Sequence, residues 1–177
     1  MHAPEPQAQD SPRTRRFGVR IDGLPVVLPE GLLLEFLPRA VVWRLPLAPA
    51  RVAGLMQLRG HPLPVFDIGR TIEPGHSHPA VLIIGEPARA LALIVDEAPQ
   101  PVCLQPPGPP GSAANGDADA EPHADAEPSD TLLRALAGDF ICPEALGDAR
   151  RDESDRLWWP LDPAVLGASL ANETADV

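Results

Sequence analysis

Residues 45–69 read LPLAPARVAGLMQLRGHPLPVFDIG, and their reading decides the fold. Residues 52–58 form an apolar run that stops at Arg59-Gly60, and residues 63–68 resume the strand pattern with Pro62 and Pro64 interleaved. Pro46 and Pro49 precede the run. The segment predicts two short strands joined at a tight Arg-Gly bend, with Asp67 closing the second.

Working outward toward the N-terminus, Phe17, Val19 and Ile21 alternate with Gly18 and Arg20, and Asp22-Gly23 supplies a hairpin turn into residues 24–28. Pro25 and Pro29 push that second strand toward a sheet edge, because proline cannot donate to a ladder. Residues 32–37, with Glu35, and residues 41–45 read as further short strands.

Toward the C-terminus, residues 81–84 and 91–95 read as buried strands joined around Gly85-Glu86-Pro87. Residues 105–130 change to Pro, Gly, Ala, Asp and Glu, which predicts a solvated acidic insert. A helical turn follows at residues 132–137, then a strand at 157–161 that places Trp158 and Trp159 on opposite faces. At least one of these rings is expected in the core, and the sequence leaves undecided whether the other is core or an aromatic contact for a partner. Asp162-Pro163 is an N-cap followed by proline at N1, opening a helix through about Leu170. The expected organisation is an N-terminal tail at 1–16, one domain at 17–171 interrupted by the insert, and a tail at 172–177. Many short strands spaced by turns, with helix mainly at the end, predict a mainly β barrel or sandwich.

Composition narrows the function. The 177 residues suit one ordinary domain or two very small ones sharing a core. The net charge of −11 disfavours nucleic acid and anionic membrane surfaces, and the arginine clusters at 13–16 and 150–151 are too few to form a basic face. Cys103 and Cys142 have no CxxC spacing, so the expected compartment is a reducing cytoplasm. No apolar run approaches a bilayer span, and residues 1–16 have no apolar export core. His76 and His78 are two imidazoles without a third ligand, so no metal site and no cofactor are expected. The absence of a GxSxG elbow, a Cys/His pairing or a phosphate loop leaves no catalytic residue to name, and the chain is not expected to be an enzyme.

The quoted stretch resembles the central signature of the CheW family: a Pro-containing lead-in (Pro46, Pro49), Gly54 before an aliphatic strand, the Arg59-Gly60 turn, and Pro64-x-x-Asp67. Val95-Asp96-Glu97, closing an aliphatic strand, resembles the second signature. Glu35 stands where the family often has Glu, and residues 157–170 are similar to its closing strand and helix. The resemblance covers roughly residues 17–104 and 131–171. Gln57 replaces a more usual Asn, the insert is long, and residues 138–155 do not align. The resemblance implies two small SH3-like β-barrels sharing a core, with a short C-terminal helix. It also implies a non-catalytic cytoplasmic adaptor between methyl-accepting chemotaxis receptors and a CheA-like histidine kinase, in a flagellar or a type IV pilus twitching system.

Candidate partner-binding residues are Arg59, Gly60, Glu35, Leu55, Met56 and Leu58. An Arg at a tight bend presents a five-donor fork to a carboxylate, and the alternative is a local ion pair with Asp67 or Glu97. Leu55, Met56 and Leu58 offer a flat patch, although core burial is the commoner fate of such residues. Pro64, Asp67, Asp96 and Glu97 are read as turn or motif residues, the carboxylates accepting backbone N–H bonds from the turns that follow them.

Overall fold

The computed structural model describes residues 16–69, 78–106 and 129–175. Two hairpins set the pattern. Strands β1 (Arg16–Ile21) and β2 (Leu24–Val27) pair antiparallel across Asp22-Gly23, and β4 (Val52–Leu58) and β5 (His61–Phe66) pair across Arg59-Gly60. Each linker is two residues with positive φ at both, 48° and 78° in the first and 49° and 88° in the second. This is the type I′ geometry that matches the twist of a hairpin.

The remaining strands are β3 (Leu34–Leu37), β6 (Val81–Ile84), β7 (Leu91–Ile94), β8 (Gln100–Val102), β9 (Arg150–Arg151) and β10 (Leu157–Pro160). They form two five-stranded sheets, ordered β8-β1-β2-β10-β9 and β3-β6-β7-β5-β4. Each sheet curls until its outer strands meet. In the second, Trp43, beyond β3, bridges Leu55 of β4 through N–H···O bonds of 2.7 and 2.8 Å. In the first, Leu104, beyond β8, bridges Asp152, beyond β9. Closure of this kind removes open edges. The second barrel is built from contiguous chain, whereas the first joins the N-terminal hairpin to strands from the C-terminal third, with β10 parallel to β2.

Alternation along the strands sorts side chains into three apolar clusters. Val81 and Ile83 fill the second barrel with Met56, Leu58, Leu63, Val65 and Ala92. Leu82 and Ile84, one residue out of phase, join a core between the barrels that includes Val19, Ile21, Leu24, Val26 and Leu93. Trp158, Val27 and Val102 fill the first barrel, and Trp159 points the other way into the shared core. Both tryptophans are therefore buried, and neither is open to a partner. A strand in a closed barrel with a neighbour on its outside has no solvent face.

Helix α1 (Asp130–Gly138), capped by Ser129, and helix α2 (Pro163–Ala175) complete the fold. The Asp162 carboxylate accepts the Ala164 and Val165 N–H groups at 2.9 and 3.2 Å, as the sequence predicts. Leu166 and Leu170, four apart, put one face of α2 into the shared core. The helix runs on to Ala175, past the expected end near Leu170.

Three expectations are corrected. Strand β2 lies between β1 and β10 with all four residues buried, not at an edge. Pro25 is tolerated because the β10 ladder begins only at Val26. Residues 41–45 form no strand beyond the single Trp43 bridge. Gln105 and Asp130, the ends of the expected insert, belong to the folded part: Gln105 Nε2 donates to the Asp152 carbonyl at 2.8 Å, and Asp130 pairs with Arg151. Residues 107–128 and His76 lie outside the described residues, and His78 is exposed.

Candidate functional site

Arg59 lies at the tip of the β4–β5 hairpin, with its side chain 64% exposed. Its Nη2 donates to Glu35 Oε2 at 3.0 Å. Glu35 is on β3, the opposite outer strand of the same sheet, so barrel closure is what brings the two together. Neither Asp67 nor Glu97, the partners considered from sequence, takes this arginine. An ion pair this exposed contributes about 0–1 kcal/mol to folding.

Gly54 explains why the signature places glycine in this strand. A Cβ there would stand 2.8 Å from both the Trp43 carbonyl carbon and Val42 Cγ1, at a residue with φ of 154° beside an irregularity in the β4–β5 register. Glycine lets the returning chain close the barrel. Pro62 and Pro64 alternate on the exposed side of β5, and β7 pairs with this strand only from Val65 onward. Their missing donors therefore face no ladder.

Met56 and Leu58 are 4% and 5% exposed and lie inside the second barrel, while Leu55 is half-buried beside Trp43. The flat patch read from sequence does not exist. Alternate residues of a barrel strand point inward, and 56 and 58 are the inward pair.

The carboxylates behave as turn residues with a wider reach than expected. Asp67 Oδ1 accepts the Gly69 N–H at 3.1 Å, and the Arg51 guanidinium donates to the Gly69 carbonyl. Asp96 accepts the Asp22 and Gly23 N–H groups at 3.0 and 2.7 Å. Because Asp96 follows β7 of the second barrel and Asp22-Gly23 turns the first, this carboxylate joins the two barrels. Glu97 adds an ion pair to Arg20 at 3.3 Å.

A second polar cluster escaped the sequence reading. Asp152, 4% exposed, accepts from Ser154 N and Arg156 N on Oδ1, at 2.8 and 3.0 Å. On Oδ2 it accepts from Arg156 Nε and Trp158 Nε1, at 3.1 and 2.9 Å. Burial pushes this carboxyl upward, but the indole and backbone donors and the Arg156 charge outweigh it and hold it below its ordinary value. An Asp followed four residues later by Arg is too common a pattern to announce such a network.

Among the described residues no group of three or more His, Cys, Asp or Glu is placed to hold a metal, and no helix is long and apolar enough to cross a membrane. Cys103 and Cys142 are free thiols. Two closed barrels thus share one core, and an arginine–carboxylate pair stands exposed where the second barrel closes.

Comparison with known proteins agrees. The model of the CheW-like domain matches residues 17–108. The chain belongs to the CheW-like family, whose members are chemotaxis scaffolds and adaptors of signal transduction. The crystal structure of the scaffolding protein TtCheW from Thermoanaerobacter tengcongensis is similar in fold. Its TM-score is 0.50 at 14% sequence identity, covering 84% of this chain and 88% of that chain. No curated protein matches.

Proposed function

We propose that this protein is a non-catalytic cytoplasmic adaptor that couples methyl-accepting chemotaxis receptors to a CheA-like histidine kinase. The observation that carries the reading is the Arg59–Glu35 pair: two signature residues, 24 apart in sequence, meet at an exposed rim where they add little to folding. Residues held at a surface without a stability role fit a role in recognition. The family's scaffolding character supports the same reading.

The test measures binding and unfolding on one preparation. Arg59→Ala is expected to weaken the complex with the kinase regulatory domain or the receptor tip by about 1–3 kcal/mol, the range for a hydrogen-bonded charged anchor. The denaturant midpoint should stay near wild type. Arg59→Lys should recover part of the loss, since an ammonium cannot reproduce the planar fork. Unchanged affinity with lowered stability would make Arg59 a structural residue and remove the main support for the reading.

A further inference from the structure

The chain between β3 and β4 carries a surface that the Arg59–Glu35 pair does not explain. Ala40 is buried and Val42 packs on the interior of the second barrel. Val41, Trp43, Leu45 and Leu47 are 52%, 56%, 41% and 98% exposed. Val41, Trp43 and Leu45 lie two apart on the stretch that bridges β4 at Trp43, and Leu47 follows in the turn beyond it, so that the four form an exposed apolar ridge along the chain.

The tip of the ridge is strained as well as exposed. Pro46 and Leu47 occupy the middle of a turn in which the Ala48 N–H approaches the Leu45 carbonyl at 3.4 Å, and Leu47 has φ of 60°. Proline followed by a residue of positive φ fits a type II turn, whose third position favours glycine. A leucine there bears the steric penalty of left-handed backbone and recovers nothing by burial. Large apolar side chains placed so contiguously at a surface mark an interaction site.

Charge defines the partner. Of the four arginines between Phe36 and Phe66, Arg59 pairs with Glu35 and Arg51 donates to the Gly69 carbonyl, which leaves Arg39 and Arg44 as the charges of this stretch in a protein that carries −11. Arg39 and Arg44 are exposed beside the ridge. We infer that the Val41–Trp43–Leu45–Leu47 ridge docks on a partner protein whose face offers an apolar pocket rimmed by carboxylates. A second copy shares the net charge of −11, and an anionic lipid surface is repelled by it, so the same arithmetic disfavours both. The ridge meets β4 at Leu55, four residues from Arg59, which is about 13 Å along a strand. The inference rests on the adaptor reading, which supplies the two proteins to be tried.

The experiment titrates the full chain against the kinase regulatory domain and the receptor tip from the same cell. It compares wild type with Leu47→Gly, Trp43→Ala and Arg44→Glu. Leu47→Gly should unfold at the same or a higher denaturant concentration, because glycine relieves the left-handed turn, yet bind one of the two proteins at least tenfold more weakly. Arg44→Glu should weaken that same complex and flatten its salt dependence. Equal affinities of the three variants and wild type for both proteins would overturn the ridge while leaving the adaptor reading standing. Failure of wild type to bind either protein would overturn both. Concentration-dependent self-association, or binding to vesicles containing phosphatidylserine, that Leu47→Gly abolishes while both proteins still bind normally would reassign the ridge and overturn the proposal.

Discussion

Replacing Asp152 by Asn changes one atom in size by little and reverses its hydrogen-bond character. The amide oxygen can still serve the Ser154 and Arg156 backbone N–H groups, at 2.8 and 3.0 Å from the carboxylate in the wild type. The amide nitrogen then faces two donors, Trp158 Nε1 and Arg156 Nε, where an acceptor stood. Trp158 is fully buried inside the first barrel, so its indole N–H has no water to turn to, and such an orphan costs about 1–3 kcal/mol. The Arg156 side chain is 36% exposed and can reach solvent, so its lost ion pair adds about 1 kcal/mol at most. The expected loss is roughly 2–4 kcal/mol, equivalent to about 10 °C in melting temperature for a domain of this size.

Removing the orphaned donor should remove much of the penalty. Asp152→Asn in a Trp158→Phe background is expected to cost about 1–2 kcal/mol less than in the wild type, measured as a double-mutant cycle by denaturant unfolding. Acid supplies an independent arm. A carboxyl held below its ordinary value binds a proton more weakly in the folded state, so its stabilisation is fully present above the unfolded value of about 3.9. It is lost as pH falls through the lower folded value. The gap between wild type and Asp152→Asn should thus be constant from neutral pH to about 5 and narrow below about 3.9. A variant within about 0.5 kcal/mol of wild type at neutral pH, or a gap that widens in acid, would refute the assignment of this network.

Gly18→Ala should be costly, because the added Cβ would lie 2.8 Å from Trp158 Cη2 and 2.7 Å from Val102 Cγ2 inside the first barrel. A loss of about 1–3 kcal/mol by chemical denaturation is expected for overpacking, and a neutral result would show that the ring has room to move. Asp96→Ala should loosen the junction between the barrels by removing the acceptor for two turn N–H groups, at a cost of about 1–2 kcal/mol since the site is exposed. Its distinguishing mark is faster hydrogen exchange at Asp22 and Gly23, and unchanged exchange there would count against the junction.

Much of the architecture is legible in local sequence because its causes are local. Asp22-Gly23 and Arg59-Gly60 form the positive-φ turns of two-residue hairpins, and Asp162-Pro163 opens α2. The partner of Asp96 was not legible, since the N–H groups it accepts come from a turn 73 and 74 residues away. Nor was the pairing of Arg59 with Glu35, which requires the sheet to close on itself. The apolar alternation of β4 identifies a strand but does not say which face is inside. Met56 and Leu58 therefore lie inside where the sequence also allows an outward patch, while Val41, Trp43 and Leu45, expected as part of a strand, stand exposed. The sequence by itself determined the strand and turn chemistry and the family signature. Only the tertiary structure decided which residues a second barrel covers, because burial on both faces of a strand depends on neighbours that no local pattern encodes.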